Sequence, residues 1–364
     1  MILHRYFARR FVMTFLGVFG VFFLILAFIG LVDTLRQFSN ADVSFAQIIG
    51  LTLLNIPQAI YRIMPLIIII TTIAMFLGLS RSSELVVTRA AGRSALRALL
   101  APLFMALIIG ISAVAILNPI VAATSQQYEQ RSATLKGDAS ALILGETGIW
   151  LRQGGADGQT VIRAASANLD GTVLRDVTFL TFANAGGPTR RIEAASANLQ
   201  DGAWDLRDAK SWPLTRGTVP EASATNHTTL QVPSTLTADQ IRNSFGTPAS
   251  IPIWDLPAFI NRLQAAGFSA QRHQVWFQME LALPFFLVSM VMIGASFTLR
   301  HQRGGRTGLA VLLAIFLSFA IYFLRNFAQI LGENGQLPVL LAAWAPPIAA
   351  MGLAMGMLLH QEDG

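Results

Sequence analysis

Long apolar runs separated by short polar connections dominate the chain. Each of six runs is long enough to cross a bilayer, whose hydrocarbon core takes about 20 helical residues. We therefore predict transmembrane helices over residues 11–32, 57–79, 98–120, 275–299, 307–331 and 337–359. The first run has 22 residues, more than the apolar core of a signal peptide, which has about 7–15. The run is therefore expected to stay attached to the chain as the first transmembrane helix and not to be cleaved as a signal peptide. Residues 40–61 predict a loop followed by an interfacial or partly inserted helix.

The stretch between the third and fourth runs has a different character. Residues 122–270 carry mixed charge and the composition of a soluble domain. Apolar and polar positions alternate over residues 173–182, which is typical of a strand, and Gly, Asp-Gly and Pro positions supply turns. A short sequence that begins at Ala164 recurs at Ala194, which indicates two similar strand–turn units. An all-β sandwich or jelly roll is predicted.

The predicted fold class is an α-helical membrane protein with six transmembrane helices (3+3) and an inserted all-β, jellyroll-like periplasmic domain. Its predicted divisions are residues 1–121 for helices one to three, 122–270 for the β-domain and 271–364 for helices four to six.

Composition supports this class and narrows the chemistry. The chain has 364 residues, of which 53% are hydrophobic and 13% charged, and its mean hydropathy is +0.54. The net charge of +6 does not indicate nucleic-acid binding, because the basic residues flank apolar runs. The absence of Cys excludes disulfides, thiolate metal sites and Cys nucleophiles.

The arginines define an orientation. They concentrate in residues 5–10, 81–97 and 300–306, whereas the short connections on the opposite side hold only Arg36 and Arg62. The positive-inside rule then places both termini and residues 81–97 in the cytoplasm, with the β-domain outside.

No sequence motif points to an enzyme. Neither Lys lies in a phosphate-binding Walker loop, the His residues lack metal-ligand spacing, and no G-x-S-x-G motif occurs. We therefore expect a non-catalytic protein without a cofactor or metal of its own.

Two ionisable residues inside the apolar runs are candidate functional residues. Charge at membrane depth is costly, and such residues are usually paired or functional. Glu280 and Arg325 lie on antiparallel spans at comparable depth, so they are a candidate intramembrane pair. Alternatively, Arg325 faces a cavity and meets an anionic ligand. Arg36 and Arg62 lie near the same interface, and snorkelling to lipid headgroups is the simpler interpretation for Arg36.

Residues 81–97 form a charged connection between the second and third spans. Ser82 or Ser83 can cap a short helix with Glu84 in its first turn, and Gly92 is suited to end it. By itself this segment is equally consistent with an orientation signal and with a contact to another subunit.

Several motifs resemble one family over the whole chain. They are residues 83–92 (SELVVTRAAG), 331–338 (LGENGQLP), 342–346 (AAWAP) and the amphipathic start at residues 5–11 (RYFARRF). Together with the layout of spans and β-domain, they resemble the lipopolysaccharide-export permeases of the LptF/LptG family. Residues 31–38 (LVDTLRQF) and the C-terminal motif are more similar to the LptG branch.

The resemblance implies a complex in the bacterial inner membrane. Family members pair with the paralogous permease, here LptF, on two copies of the ATPase LptB, which binds ATP and Mg. LptC joins the complex and, with LptA, continues the periplasmic β-jellyroll bridge. The implied function is ATP-driven extraction of lipopolysaccharide and its transfer to that bridge.

The resemblance also assigns roles to residues. The coupling helix of about residues 82–92 would contact the ATPase through Ser83, Glu84, Leu85, Thr88, Arg89 and Gly92. Arg36, Arg62 and Arg325 are candidate contacts to lipid phosphates. The alternative function is a membrane-anchored periplasmic binding or scaffold protein that works through its β-domain.

Overall fold

The computed structural model describes most of the chain as two compact units. The described residues are 2–39, 43–82, 84, 95–136, 143–145, 148–155, 158–168, 172–183, 187–200, 202–214, 219–234, 236, 241, 247–265, 269–299 and 307–362. The membrane unit comprises Met1–Arg131, Ala249–Trp254 and Gln271–Gly364, and the sheet unit comprises Ser132–Pro248 and Asp255–Ala270.

The α-helices that the structure describes are α1 (Ile2–Gln37), α2 (Phe45–Arg62), α3 (Met64–Arg81), α4 (Ala95–Ser112), α5 (Asn118–Lys136), α6 (Leu256–Ala265), α7 (Gln271–Thr298), α8 (Thr307–Glu333) and α9 (Val339–Glu362). A π-helical turn, Ala113–Leu117, joins α4 to α5. Six helical stretches among the described residues are long and apolar enough to span a membrane, and each overlaps one of the six predicted runs. The prediction of a multi-pass membrane protein is confirmed.

The second span begins later than predicted. Pro57, its expected start, lies inside α2, whose N-terminus is fixed by a capping box between Ser44 and Gln47. This helix buries one face, through residues such as Leu51 and Ile60. The chain turns at Ile63, and Pro65 then occupies the first turn of α3, where the missing N–H needs no partner. The interfacial helix and the span are therefore two separate helices.

The predicted boundary at residues 121 and 122 lies inside a helix. The third span continues through the π-helical turn into α5 and ends only at Lys136. The two units meet in sequence at Arg131 and Ser132, and residues 249–254 belong to the membrane unit. Hydropathy marks the end of the apolar run, whereas a helix continues for as long as its backbone hydrogen bonds do.

Helix α7 is the most buried span of the membrane unit. It contacts α3, α4, α8 and α9, and glycines permit two of these contacts. A Cβ on Gly110 of α4 would lie 2.5 Å from the Pro284 Cα, and one on Gly294 would lie 3.0 Å from the Thr72 Cγ2. In contrast, only 6% of the membrane-spanning apolar stretch of α1 is buried against other parts of the chain.

The sheet unit contains a seven-stranded antiparallel sheet, ordered as in the sequence. Its strands are β1 (Ile143–Gly145), β2 (Gly148–Gly155), β3 (Gly158–Ala167), β4 (Val173–Phe182), β5 (Pro188–Gln200), β6 (Ala203–Pro213) and β7 (Thr225–Pro233). The prediction of an inserted antiparallel β-domain is confirmed, and the strand predicted over residues 173–182 is β4. The connectivity of the described strands is that of a meander.

The sequence repeat corresponds to the two strands that flank β4. Ala164 of β3 and Ala194 of β5 both pair with Val177 of β4, so the repeated segments occupy equivalent registers on its two sides. Pairing skips Asp176, which adopts a φ of 50°. Aspartate tolerates this left-handed conformation, and the register is unchanged on either side of it.

The sheet folds back towards itself. The Gln153 side chain on β2 donates to the Pro233 carbonyl at the end of β7 (3.1 Å) and accepts from the Ser234 hydroxyl (2.8 Å). These strands are five positions apart, which corresponds to about 24 Å in a flat sheet. The contact therefore requires a curved sheet, whose inner face buries apolar side chains such as Phe179 and Trp204.

Candidate functional site

A cavity of about 320 Å³ lies within the membrane unit, between α2, α3, α5, α7 and α8. Its lining combines a few apolar side chains with charged and amide groups. The polar residues of the lining are Gln58, Tyr61, Arg62, Asn118, Glu280, Tyr322, Arg325, Asn326 and Gln329. This volume is at the lower end of the range for small-molecule sites, about 300–1,000 Å³.

Glu280 is buried at the centre of a hydrogen-bonded group. Its side chain is 2% exposed, and its Oε2 accepts a hydrogen bond from the Tyr61 hydroxyl. The Asn118 side chain is a second hydrogen-bond partner of the carboxyl, and its Oδ1 accepts from the Ile253 backbone N–H at 3.0 Å. Pro284, four residues further along α7, removes the helical hydrogen bond to the Glu280 carbonyl. Polar groups of α2 and α5 thus converge on one carboxyl of α7.

Arg325 lies in the same cavity but does not form the predicted direct pair. Its guanidinium stacks over the Phe286 ring at 5.2 Å. Its charge is close enough to that of Glu280 to interact, yet no direct salt bridge joins the two residues, both of which the structure describes. The cavity alternative for Arg325 therefore agrees with the geometry, and the direct partner of Glu280 is Tyr61.

The other two candidate cations differ in position. Arg62 is exposed and lines the cavity, whereas Arg36 is exposed near the end of α1 and is not part of this lining. Sequence reasoning missed Tyr61 and Asn118 as partners of Glu280. No local pattern identifies them, because they are 219 and 162 positions away from Glu280 along the chain.

A second polar cluster surrounds Glu84, one of the residues predicted to contact the ATPase. Its Oε2 accepts from the Tyr6 hydroxyl (2.7 Å) and its Oε1 from the Ser82 hydroxyl (2.8 Å). The Arg10 guanidinium lies 3.8 Å from Oε1. The pKa of Glu84 lies below its usual value, chiefly because of the Tyr6 hydrogen bond, with smaller effects of Ser82 and Arg10. The carboxylate is therefore charged at neutral pH.

The remaining residues predicted for the coupling helix lie outside the described residues; these are Ser83, Leu85, Thr88, Arg89 and Gly92. Among the residues that the structure does describe, no group of three His, Cys, Asp or Glu side chains is arranged to hold a metal.

Comparison with known proteins identifies the family of the chain. Residues 5–360 match the family model described as lipopolysaccharide export system permease LptF/LptG. The chain belongs to the LptF/LptG family. It is also 22% identical over 342 residues to the lipopolysaccharide export system permease protein LptG of Haemophilus influenzae, and the match covers 93% of this chain and 92% of that protein. The family resemblance inferred from the motifs is confirmed, and a permease of an export system is a transport subunit.

Proposed function

We propose that the chain is the LptG-type permease subunit of an ATP-driven exporter that extracts lipopolysaccharide from the inner membrane. It pairs with the paralogous LptF-type permease on an LptB ATPase dimer. The β-domain lies in the periplasm and passes the lipid to LptC and LptA, and both termini are cytoplasmic. Support comes from family membership, from the six spans with their Arg distribution, and from the lack of a Walker loop in a chain that would need ATP-derived energy.

The proposal that the transported lipid carries phosphate rests on one observation: a cation lies inside an intramembrane cavity. Arg325 is eight residues before the end of α8, which corresponds to about 12 Å along a helix. Its charge is not neutralised by a direct salt bridge to the carboxylate in the same cavity. Arginine suits phosphate because its planar fork donates two hydrogen bonds. In the orientation given by the positive-inside rule, the residues that line this cavity lie near the periplasmic ends of their helices, where the head group of the extracted lipid would lie.

The volume restricts what this site does. A cavity of about 320 Å³ takes one phosphorylated head group while the acyl chains remain in a larger space outside it. Arg325 and Arg62 then contact phosphate, and the amides of Asn326 and Gln329 contact neighbouring hydroxyl groups. A mere membrane anchor for a scaffold domain would not need a charged cavity of this kind.

Arg325→Gln tests this assignment, because it removes the charge and keeps a polar side chain. In proteoliposomes that contain the full complex, we expect release of lipopolysaccharide to a soluble periplasmic acceptor to fall about tenfold or more, the usual factor for a lost hydrogen bond to a charged group. Arg272→Gln is the matched control, since Arg272 is exposed at the start of α7 and does not line the cavity. Equal release by Arg325→Gln and wild type would refute the phosphate contact.

A further inference from the structure

The polar cluster around Glu84 joins two parts of the chain that are far apart in sequence. Tyr6 and Arg10 lie one turn apart on α1, and Glu84 follows the C-terminus of α3. Tyr6 donates to Glu84, and Arg10 Nη1 donates in turn to the Tyr6 hydroxyl at 3.1 Å. The three side chains therefore form a connected group between the start of α1 and the segment that leads into residues 85–94.

The Glu84 carboxylate is partly exposed while it makes these contacts. Its two oxygens accept from the Tyr6 and Ser82 hydroxyls, one on each oxygen, and its side chain is 32% exposed. The residue that joins this segment to α1 therefore lies at the surface of the membrane unit, where another subunit can reach it.

Helix α1 is suited to transmit a displacement from this end. It is continuous over 36 residues without proline, a length of about 54 Å. Its first turns are anchored by Phe7 and Phe11, which are at most 1% exposed. Further along, large apolar side chains such as Leu24 and Phe28 are 68% and 69% exposed. The helix is thus buried in its first turns, which carry Tyr6 and Arg10, and exposed over its middle.

We propose that Tyr6 and Arg10 are positioning residues for energy coupling, and that they join α1 to Glu84 so that displacement of the coupling segment moves α1. This inference rests on the proposed function, since it assumes an ATPase that moves residues 84–92. It adds a defined route from that segment to the first span. The alternative role of the cluster is purely structural, because Ser82 also donates to the Gly78 carbonyl at the C-terminus of α3 (3.1 Å).

Tyr6→Phe is the central variant, because it removes the hydroxyl and keeps the ring that packs against Phe7 at 5.8 Å. Tyr128→Phe is the matched control: it removes a hydroxyl that donates to Gln37 (3.4 Å) at the opposite end of α1. Arg10→Gln tests a second member of the cluster, so that a folding defect in one variant does not decide the result.

Two measurements separate this proposal from the proposed function. The first is lipopolysaccharide released per ATP hydrolysed by the full complex in proteoliposomes. The second is the distance distribution between spin labels at Arg5→Cys and Ala91→Cys in the full-length chain, which needs no ATPase. The absence of native Cys makes these two positions the only labelling sites.

We expect Tyr6→Phe and Arg10→Gln to broaden the label distance distribution and to lower release per ATP about three- to tenfold. Tyr128→Phe should stay within about twofold of wild type. An unchanged distance distribution in Tyr6→Phe, or an equal loss of release in Tyr128→Phe and Tyr6→Phe, overturns the proposal. If the wild-type complex releases no lipid with ATP, the proposed function fails, and the label distances alone then decide whether Tyr6 joins α1 to the segment.

Discussion

Replacement of Gly110 by Ala tests the closest approach between two spans. A Cβ at this position would lie 2.5 Å from the Pro284 Cα and 2.9 Å from its Cβ. Carbon atoms pack best at about 3.5–4.0 Å, so α4 and α7 must separate by about 1 Å. The obstructing atoms belong to the backbone and to a rigid proline ring, so a change of rotamer cannot relieve the contact.

The expected magnitude is the balance of two opposing effects. Overpacking of a core costs about 1–3 kcal/mol, and the rigid obstruction here favours the upper part of that range. Replacement of Gly by Ala inside a helix gains about 1 kcal/mol of helix propensity. We therefore expect Gly110→Ala to lower the free energy of unfolding by about 1–2 kcal/mol.

The assay is thermal unfolding of the purified full-length chain in detergent, followed by circular dichroism. Gly352→Ala in α9 is the matched control, because a Cβ at Gly352 meets no atom of the described residues within 4 Å. The control has the same gain in propensity without the obstruction, so it should be as stable as wild type or more so. Equal stability of Gly110→Ala and Gly352→Ala would show that the two helices separate freely, which contradicts tight packing around α7.

Two further predictions concern the polar clusters. Tyr61→Phe leaves the buried Glu280 carboxyl without its hydroxyl donor, so we expect the free energy of unfolding to fall by about 1–3 kcal/mol. The double variant Tyr61→Phe with Glu280→Leu should recover most of this loss. If it does not, the unpaired carboxyl is not the cause of the lower stability. The Tyr6 hydrogen bond lowers the pKa of Glu84 below its ordinary value of 4.5. The contact therefore contributes its full stability above pH 4.5, and this stability is lost as the pH falls through the lowered pKa of the folded chain. The distance between the labels at positions 5 and 91 should therefore stay constant from pH 8 to about 5 and broaden only in more acidic solution, whereas Glu84→Gln should remove this pH dependence.

Local sequence patterns predicted the parts of the fold that depend on local physical effects. Apolar runs marked the six spans, because a bilayer requires apolar side chains over a fixed length of helix. Alternation located β4 over residues 173–182, because one face of that strand is buried. The repeat at Ala164 and Ala194 correctly indicated two equivalent strands, although only the register showed that both flank β4.

Predictions failed where a boundary depends on backbone geometry instead of hydropathy. Pro57 was expected to begin a span, yet its ring is accommodated inside α2, and the break occurs at Ile63. The third helix continues beyond its apolar run to Lys136. Polar side chains can extend a helix on either side of a span, so the composition of this stretch could not reveal where the helix ends.

The sequence by itself determined the family, the class of membrane protein and the candidate residues Glu84, Glu280 and Arg325. Only the tertiary structure decided their partners. Their charge and their depth in the membrane marked Glu280 and Arg325 as candidate functional residues. Their partners could not be predicted in this way, because a hydrogen bond forms only between groups that packing brings within about 3 Å. The contacts of Tyr61 with Glu280 and of Tyr6 with Glu84 span 219 and 78 positions. Such long-range proximity results from how the helices pack, which no local pattern records.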